Sequence, residues 1–275
     1  KGGIVNASDK DSAMCGILLT APKEGNPTSL VIENGVRVEI ENGKTKVRPL
    51  CIYSPSDSAP KISLTVHDVA VKTSGYVLNP TSKANASIVV NGGIFETTAS
   101  KFYASSSAFD YTTINGGTFS GAFSYSLIKS SVTGNSKAAV YAKNEEGKII
   151  TTITDTPAFY AAHISDRNGD KVYPKVYLAS GNELSVLAEA GMLVADATIE
   201  IKETISCTYP DGKAFGSATG SVSKLTLNIT DGATLSGSMP LNLAEVTVTG
   251  GGQVADNFFT ASDSENFELK NSGNV

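Results

Sequence analysis

Aromatic and carboxylate side chains are the residues of this 275-residue chain best suited to chemistry. Phe102, Tyr103, Phe109, Tyr111, Phe123 and Tyr125 fall close together. A row of exposed rings offers flat apolar faces for sugar rings, and each tyrosine hydroxyl adds a polar handle. Tyr103, Tyr111 and Tyr125 are therefore the expected ligand-binding residues. Asp68, Glu96, Asp110 and Asp155 are the carboxylates that a glycosidase pair would draw on, provided two of them met at roughly 5 Å or 6.5 to 9.5 Å. No spacing ties any two together, so solvated surface charge is the simpler reading.

Other chemistry is argued against residue by residue. Asp166, Asn168 and Asp170 have the D-x-N-x-D spacing of a calcium loop, yet Lys171 and Tyr177 stand where that loop needs Gly and Glu. A polar turn at Asn168-Gly169 is expected there, and no metal. The two histidines, His67 and His163, are far apart, and neither H-E-x-x-H nor G-x-S-x-G occurs. Cys15, Cys51 and Cys207 have no C-x-x-C spacing. At most one disulfide can form, and proximity in sequence favours Cys15 with Cys51. There is no Walker loop or dinucleotide fingerprint, so no cofactor is expected. The formal charge of −5 comes without a basic cluster, which argues against nucleic acid. No apolar run reaches the roughly 18 residues of a membrane span, so no transmembrane segment is expected.

The elements that must position these residues read as short strands. Val36, Val38 and Ile40 alternate with Arg37 and Glu39; Ile62, Leu64 and Val66 with Ser63 and Thr65; Ile199 and Ile201 with Glu200 and Lys202; Leu225, Leu227 and Ile229 with Thr226, Asn228 and Thr230. The best helical stretch, Ser8 to Leu19, contains Gly16 and is weak. VVNGGIFET at Val89 to Thr97 recurs as TINGGTFSG at Thr113 to Gly121, with Asn91 and Asn115 24 residues apart. Weaker copies start at Ile32, Ile229, Val248 and Leu269, and Gly191, Gly212, Gly232, Gly252 and Gly273 follow at steps of 21, 20, 20 and 21. This period predicts an all-β, single-stranded parallel β-helix of 20 to 24-residue coils, each stacking about 4.8 Å from the next. Asn91 and Asn115 should then bond side chain to side chain at a corner, with Phe95 and Phe119 stacked behind them. Residues 135–182 depart from the pattern. Glu146-Gly147 and Asn168-Gly169 suggest an irregular or hairpin-bearing insertion in one continuous domain of residues 1–275.

The N-G-G-[IT]-F copies, with Ser74 to Asn79 and IENGVRVEI, resemble the right-handed parallel β-helix of the pectin-lyase-like superfamily. They are most similar to the non-catalytic "NGGTF" coils of gut-bacterial surface proteins. The resemblance is strong over about Ser29 to Ser131; the second half resembles the fold by period alone. It implies a right-handed coil and a secreted or cell-surface setting. The lyase and hydrolase members of that superfamily need an arginine or lysine base beside acidic residues, or closely spaced aspartates. Here Arg37, Arg48 and Arg167 lie beside no such cluster, and N-T-D and Asp-Asp are absent. With only 18% of residues charged, the surface is built of Ser, Thr, Asn and Gly, as in many extracellular all-β proteins. The expectation is a monomeric, adhesin-like β-helix module contacting extracellular polysaccharide or host-surface glycan, leaning away from an enzyme. Its rivals are a lyase or glycoside hydrolase acting on an acidic polysaccharide, and a passive stalk.

Overall fold

A computed structural model describes residues 4–6, 15–40, 48–53, 56, 58–80, 85–98, 111–123, 127–128, 131–132, 137–165, 175–190, 197–209, 224–241, 245–261 and 268–271. The chain divides into two compact units, Lys1–Lys137 with Ile150–Thr154, and Ala138–Ile149 with Asp155–Val275. Both are mostly β, built from several sheets of which none closes.

In the first unit the strands are β1 (Ile4–Asn6), β2 (Cys15–Thr20), β3 (Thr28–Ile32), β4 (Arg37–Ile40), β5 (Arg48–Tyr53), β6 (Ile62–Val66), β7 (Val69–Thr73), β8 (Leu78–Pro80), β9 (Ala86–Val90), β10 (Gly93–Thr97), β11 (Thr112–Ile114) and β12 (Gly117–Ser120). Each pairs in parallel with the strand one turn of chain later, giving β2-β5-β8, β3-β6-β9-β11 and β1-β4-β7-β10-β12. Alternation sets which face is buried. Ile62, Leu64 and Val66 are buried and lie in register with Ala86, Ile88 and Val90, so like residues stack rung on rung. Each such aliphatic side chain contributes roughly 1.5 to 3 kcal/mol when fully buried. Turns advance by 34 residues from Thr28 to Ile62, then by 24 from Ile62 to Ala86. The 20 to 24-residue period therefore holds only in part, because longer connections lengthen the chain between paired strands without disturbing their register. Cys15–Thr20 is a strand rather than part of a helix. Gly16 is packed so closely on Ile40 and the Pro49 carbonyl that a Cβ would collide with both.

The parallel pattern breaks at β14 (Ile149–Asp155), which runs antiparallel to β12. Thr151, buried at its centre, accepts from Phe123 N at 3.1 Å and donates to Gly121 O at 2.9 Å, so its hydroxyl is satisfied on both sides.

The second unit contains β13 (Lys137–Lys143, from Ala138 onward), β15 (Ala162–Ser165), β16 (Lys175–Leu178), a short helix at Ser185–Glu189, β17 (Ala197–Ile201), β18 (Ile205–Thr208), β19 (Lys224–Ile229), β20 (Thr234–Leu241), β21 (Glu245–Thr249), β22 (Gln253–Val254), β23 (Phe259–Ala261) and β24 (Glu268–Asn271). β13 pairs in parallel with β16, and β15 runs antiparallel to both β16 and β17. From β17 the sheet continues in parallel through β19, β21 and β24, while β20 pairs in parallel with β18, β22 and β23. Glu146-Gly147 lies in a tight turn closed by Gly147 N to Asn144 O and Asn144 N to Lys148 O. Leu225, Leu227 and Ile229 are buried, as their alternation requires.

Candidate functional site

Two corner features of the first unit behave as the repeat demands. Asn115 Nδ2 donates to Asn91 Oδ1 at 2.9 Å, and Asn91 Nδ2 approaches His67 Nδ1 at 3.5 Å, so three successive turns place a polar side chain in one ladder. The Phe95 and Phe119 rings stack at 4.7 Å and 8°. Gly93 and Gly117, at φ +126° and +119°, make these corners; a Cβ on Gly93 would strike the backbone of Val69.

Of the residues expected to do chemistry, those that are described do not converge there. Tyr103, Tyr125, Phe102, Phe109, Asp110, Asp166, Asn168, Asp170 and Arg167 lie outside the described residues. Tyr111 is half-buried in a helical turn just before β11. Phe123 is buried with its ring 4.7 Å from that of Phe119, so it fills the core rather than a ligand face. Asp68 is exposed, with its carboxylate lying over Gly92 at the corner before β7. Glu96 is four residues along the strand from Gly92, about 13 Å at 3.3 Å per residue, beyond the window of a glycosidase pair. It stands opposite Lys72, which is itself in register with Glu39. Arg37 pairs with Glu39 on the surface. Among the described residues no three His, Cys, Asp or Glu side chains gather as metal ligands.

The Cys15–Cys51 disulfide does not form. Cys15 is in register with Arg48 and Cys51 with Leu18, which puts the two cysteines three residues apart along paired strands, about 10 Å and too far to bridge. Cys51 is a buried thiol whose Sγ donates to Arg48 O at 3.4 Å.

The built cluster lies on the outward face of the second unit. Ala162, Ile164, Val176, Leu178, Ile199 and Ile201 point into the core, so the alternate residues His163, Tyr177 and Glu200 face the other way, in register across β16, β15 and β17. Tyr160 folds over them. Its ring meets Tyr177 edge-on at 4.7 Å, His163 stacks on Tyr177 at 4.8 Å, and the Tyr160 hydroxyl donates to Glu200 Oε2 at 3.2 Å. Lys202 Nζ sits 5.1 Å over the Tyr160 ring and 3.7 Å from Glu200. A hydrogen bond with Tyr160, and then the Glu200 charge, hold the Lys202 ammonium above its ordinary range. Burial lifts the Tyr177 phenol, with Tyr160 adding to the rise and a hydrogen bond from Thr156 opposing it. Phe159, the residue before Tyr160 in the chain, is 88% exposed, an apolar ring held in water. Nothing in the sequence marks this cluster. Phe159, Tyr160 and Tyr177 carry no motif, and Glu200 and Lys202 registered only as the polar half of an alternating strand.

Elsewhere in the same unit a hollow of about 300 Å³ is lined by Cys207, Thr208, Tyr209, Gly237, Ser238 and Pro240. Burial, reinforced by the Glu183 charge, pushes the Cys207 thiol up to about 12, and burial also raises the Tyr209 phenol. Comparison with protein families, characterised proteins and solved structures finds no match to this chain. No helix among the described residues is long and apolar enough to cross a membrane.

Proposed function

We propose that the chain is a right-handed parallel β-helix of the pectin-lyase-like kind, serving as a secreted or cell-surface, adhesin-like module that contacts glycans. The in-register recurrence of three parallel strands per turn supports the coil, and the right hand follows from the strong preference of parallel crossovers. The glycan reading rests on one observation, the exposed ring of Phe159 one residue before Tyr160, whose hydroxyl belongs to the Tyr160–Glu200–Lys202 group. Sugars are held by this combination: a ring against their C–H face, and charged or hydroxyl groups against their hydroxyls. A binding role needs nothing further from the site, whereas glycoside cleavage would need a second carboxyl at catalytic distance from Glu200. The test is a glycan array probed with the whole chain. Binding that disappears in Phe159→Ala and weakens in Glu200→Gln, at unchanged circular dichroism, supports the reading. A blank array with the fold intact removes it.

A further inference from the structure

The outward face that carries the cluster does not end at Glu200. Glu200 is in register with Asn228, and Asn228 with Thr249, so Tyr177, His163, Glu200, Asn228 and Thr249 form one row across five strands. At about 4.8 Å per strand the row is about 19 Å long. Thr198, Thr226 and Thr247 form a second row beside it, half-exposed and hydroxyl-bearing. The aromatic groups thus stand at one end of a polar strip running perpendicular to the strands. Thr249 Oγ1 lies 3.5 Å from Asn228 Oδ1, so the far end is itself organised. Two described cations beside the strip are matched, Lys202 with Glu200 at 3.7 Å and Lys224 with Glu245 at 3.8 Å.

We propose that this strip binds an extended, uncharged polysaccharide laid across the strands, one sugar per strand, with its first ring against Phe159 and Tyr160 and the hydroxyls of the next units on Glu200, Asn228 and Thr249. The inference rests on the glycan reading above and names its ligand. Strand spacing is close to the length of one pyranose unit, so the protein's period and the polymer's stay in step over several units. A uronate or sulfated chain would meet the Glu200 carboxylate and would have to draw Lys202 and Lys224 from their partners. A neutral sugar only exchanges hydroxyl hydrogen bonds with water for bonds to the row.

The experiment is calorimetric titration of the whole chain with β-1,4-linked gluco-, manno- and xylo-oligosaccharides of two to six units, and with oligogalacturonates of the same lengths. One neutral series should tighten by about tenfold or more from two units to four and then level off, with oligogalacturonates at least about tenfold weaker. Asn228→Ala should make four units bind no better than two, while Phe159→Ala should weaken every length alike. Thr226→Tyr, which blocks the strip from outside and leaves the core untouched, should reproduce the loss of length dependence if Asn228→Ala perturbs folding. Equal affinity at all lengths, a preference for the acidic series, or array binding confined to terminal sugars overturns the strip and leaves the glycan reading standing. A blank array together with blank titrations takes down both.

Discussion

The Phe95–Phe119 stack gives the sharpest test of how the first unit is held together. Both rings are fully buried, in register on β10 and β12, at 4.7 Å and 8°. Truncating a buried Phe to Ala costs about 3 to 5 kcal/mol, enough to unfold a marginal domain; Leu keeps the aliphatic volume nearest the backbone and should hold each single cost to roughly half of that. Stacked rings are worth about 0.5 to 1.5 kcal/mol beyond the area they bury. The double variant Phe95→Leu/Phe119→Leu should therefore be less destabilised than the sum of the singles by that amount. The chain has no tryptophan, so urea unfolding is followed by tyrosine fluorescence and circular dichroism together. Phe258→Leu, buried in the second unit, is the control and should add to Phe119→Leu within about 0.5 kcal/mol. A Phe95/Phe119 coupling as small as that of the control would refute the stack.

Two further outcomes follow from backbone and burial. Gly93→Ala must hold a side chain at φ +126° and against the Val69 backbone, so it should destabilise by about 1 to 3 kcal/mol from backbone strain before the collision is counted, whereas Gly25→Ala, also at positive φ but in open space, should pay the strain alone; equal urea midpoints would contradict this. Cys207 has a thiol raised from 9.0 to about 12. The unfolded chain then loses that proton first, so its contribution to stability is intact below pH 9 and falls by about 1.4 kcal/mol per pH unit above it, up to the folded value. Urea midpoints between pH 8 and 11 should show the decline, shallower in Cys207→Ala, and the native thiol should resist alkylation at pH 8.

The strands were legible because alternation is a local signal. Ile62, Leu64, Val66, Leu225, Leu227 and Ile229 are all buried as their period of two requires. The 24-residue offset also survives, since parallel turns keep a constant difference in number, as Asn91 with Asn115 and Phe95 with Phe119 display. The glycine steps were a poorer guide. Asn228 pairs 21 residues on with Thr249, but Thr234 pairs 19 on with Gln253, so Gly232 and Gly252 do not mark one constant repeat. The outward cluster was illegible for the converse reason. β15 runs antiparallel to both neighbours, so His163 meets Tyr177 and Glu200 at offsets of 14 and 37 that no search for a fixed period detects. Phe123 shows that closeness in sequence to other aromatics does not fix a face, because the corner at Gly121 resets the strand phase and turns its ring inward. Cys15 and Cys51 show the same for pairs: register, and not separation in sequence, decides who meets whom.

The stacking of successive strands that underlies the first unit is tested most directly by a cross-link at one corner. In a chain with Cys15, Cys51 and Cys207 replaced by alanine, Asn91→Cys and Asn115→Cys stand at adjacent rungs, within the Cα separation a disulfide spans. Mild oxidation should close that bond nearly completely, with unchanged circular dichroism and a raised urea midpoint. Two free thiols after oxidation, in a chain that remains folded, would contradict the stacking of successive turns.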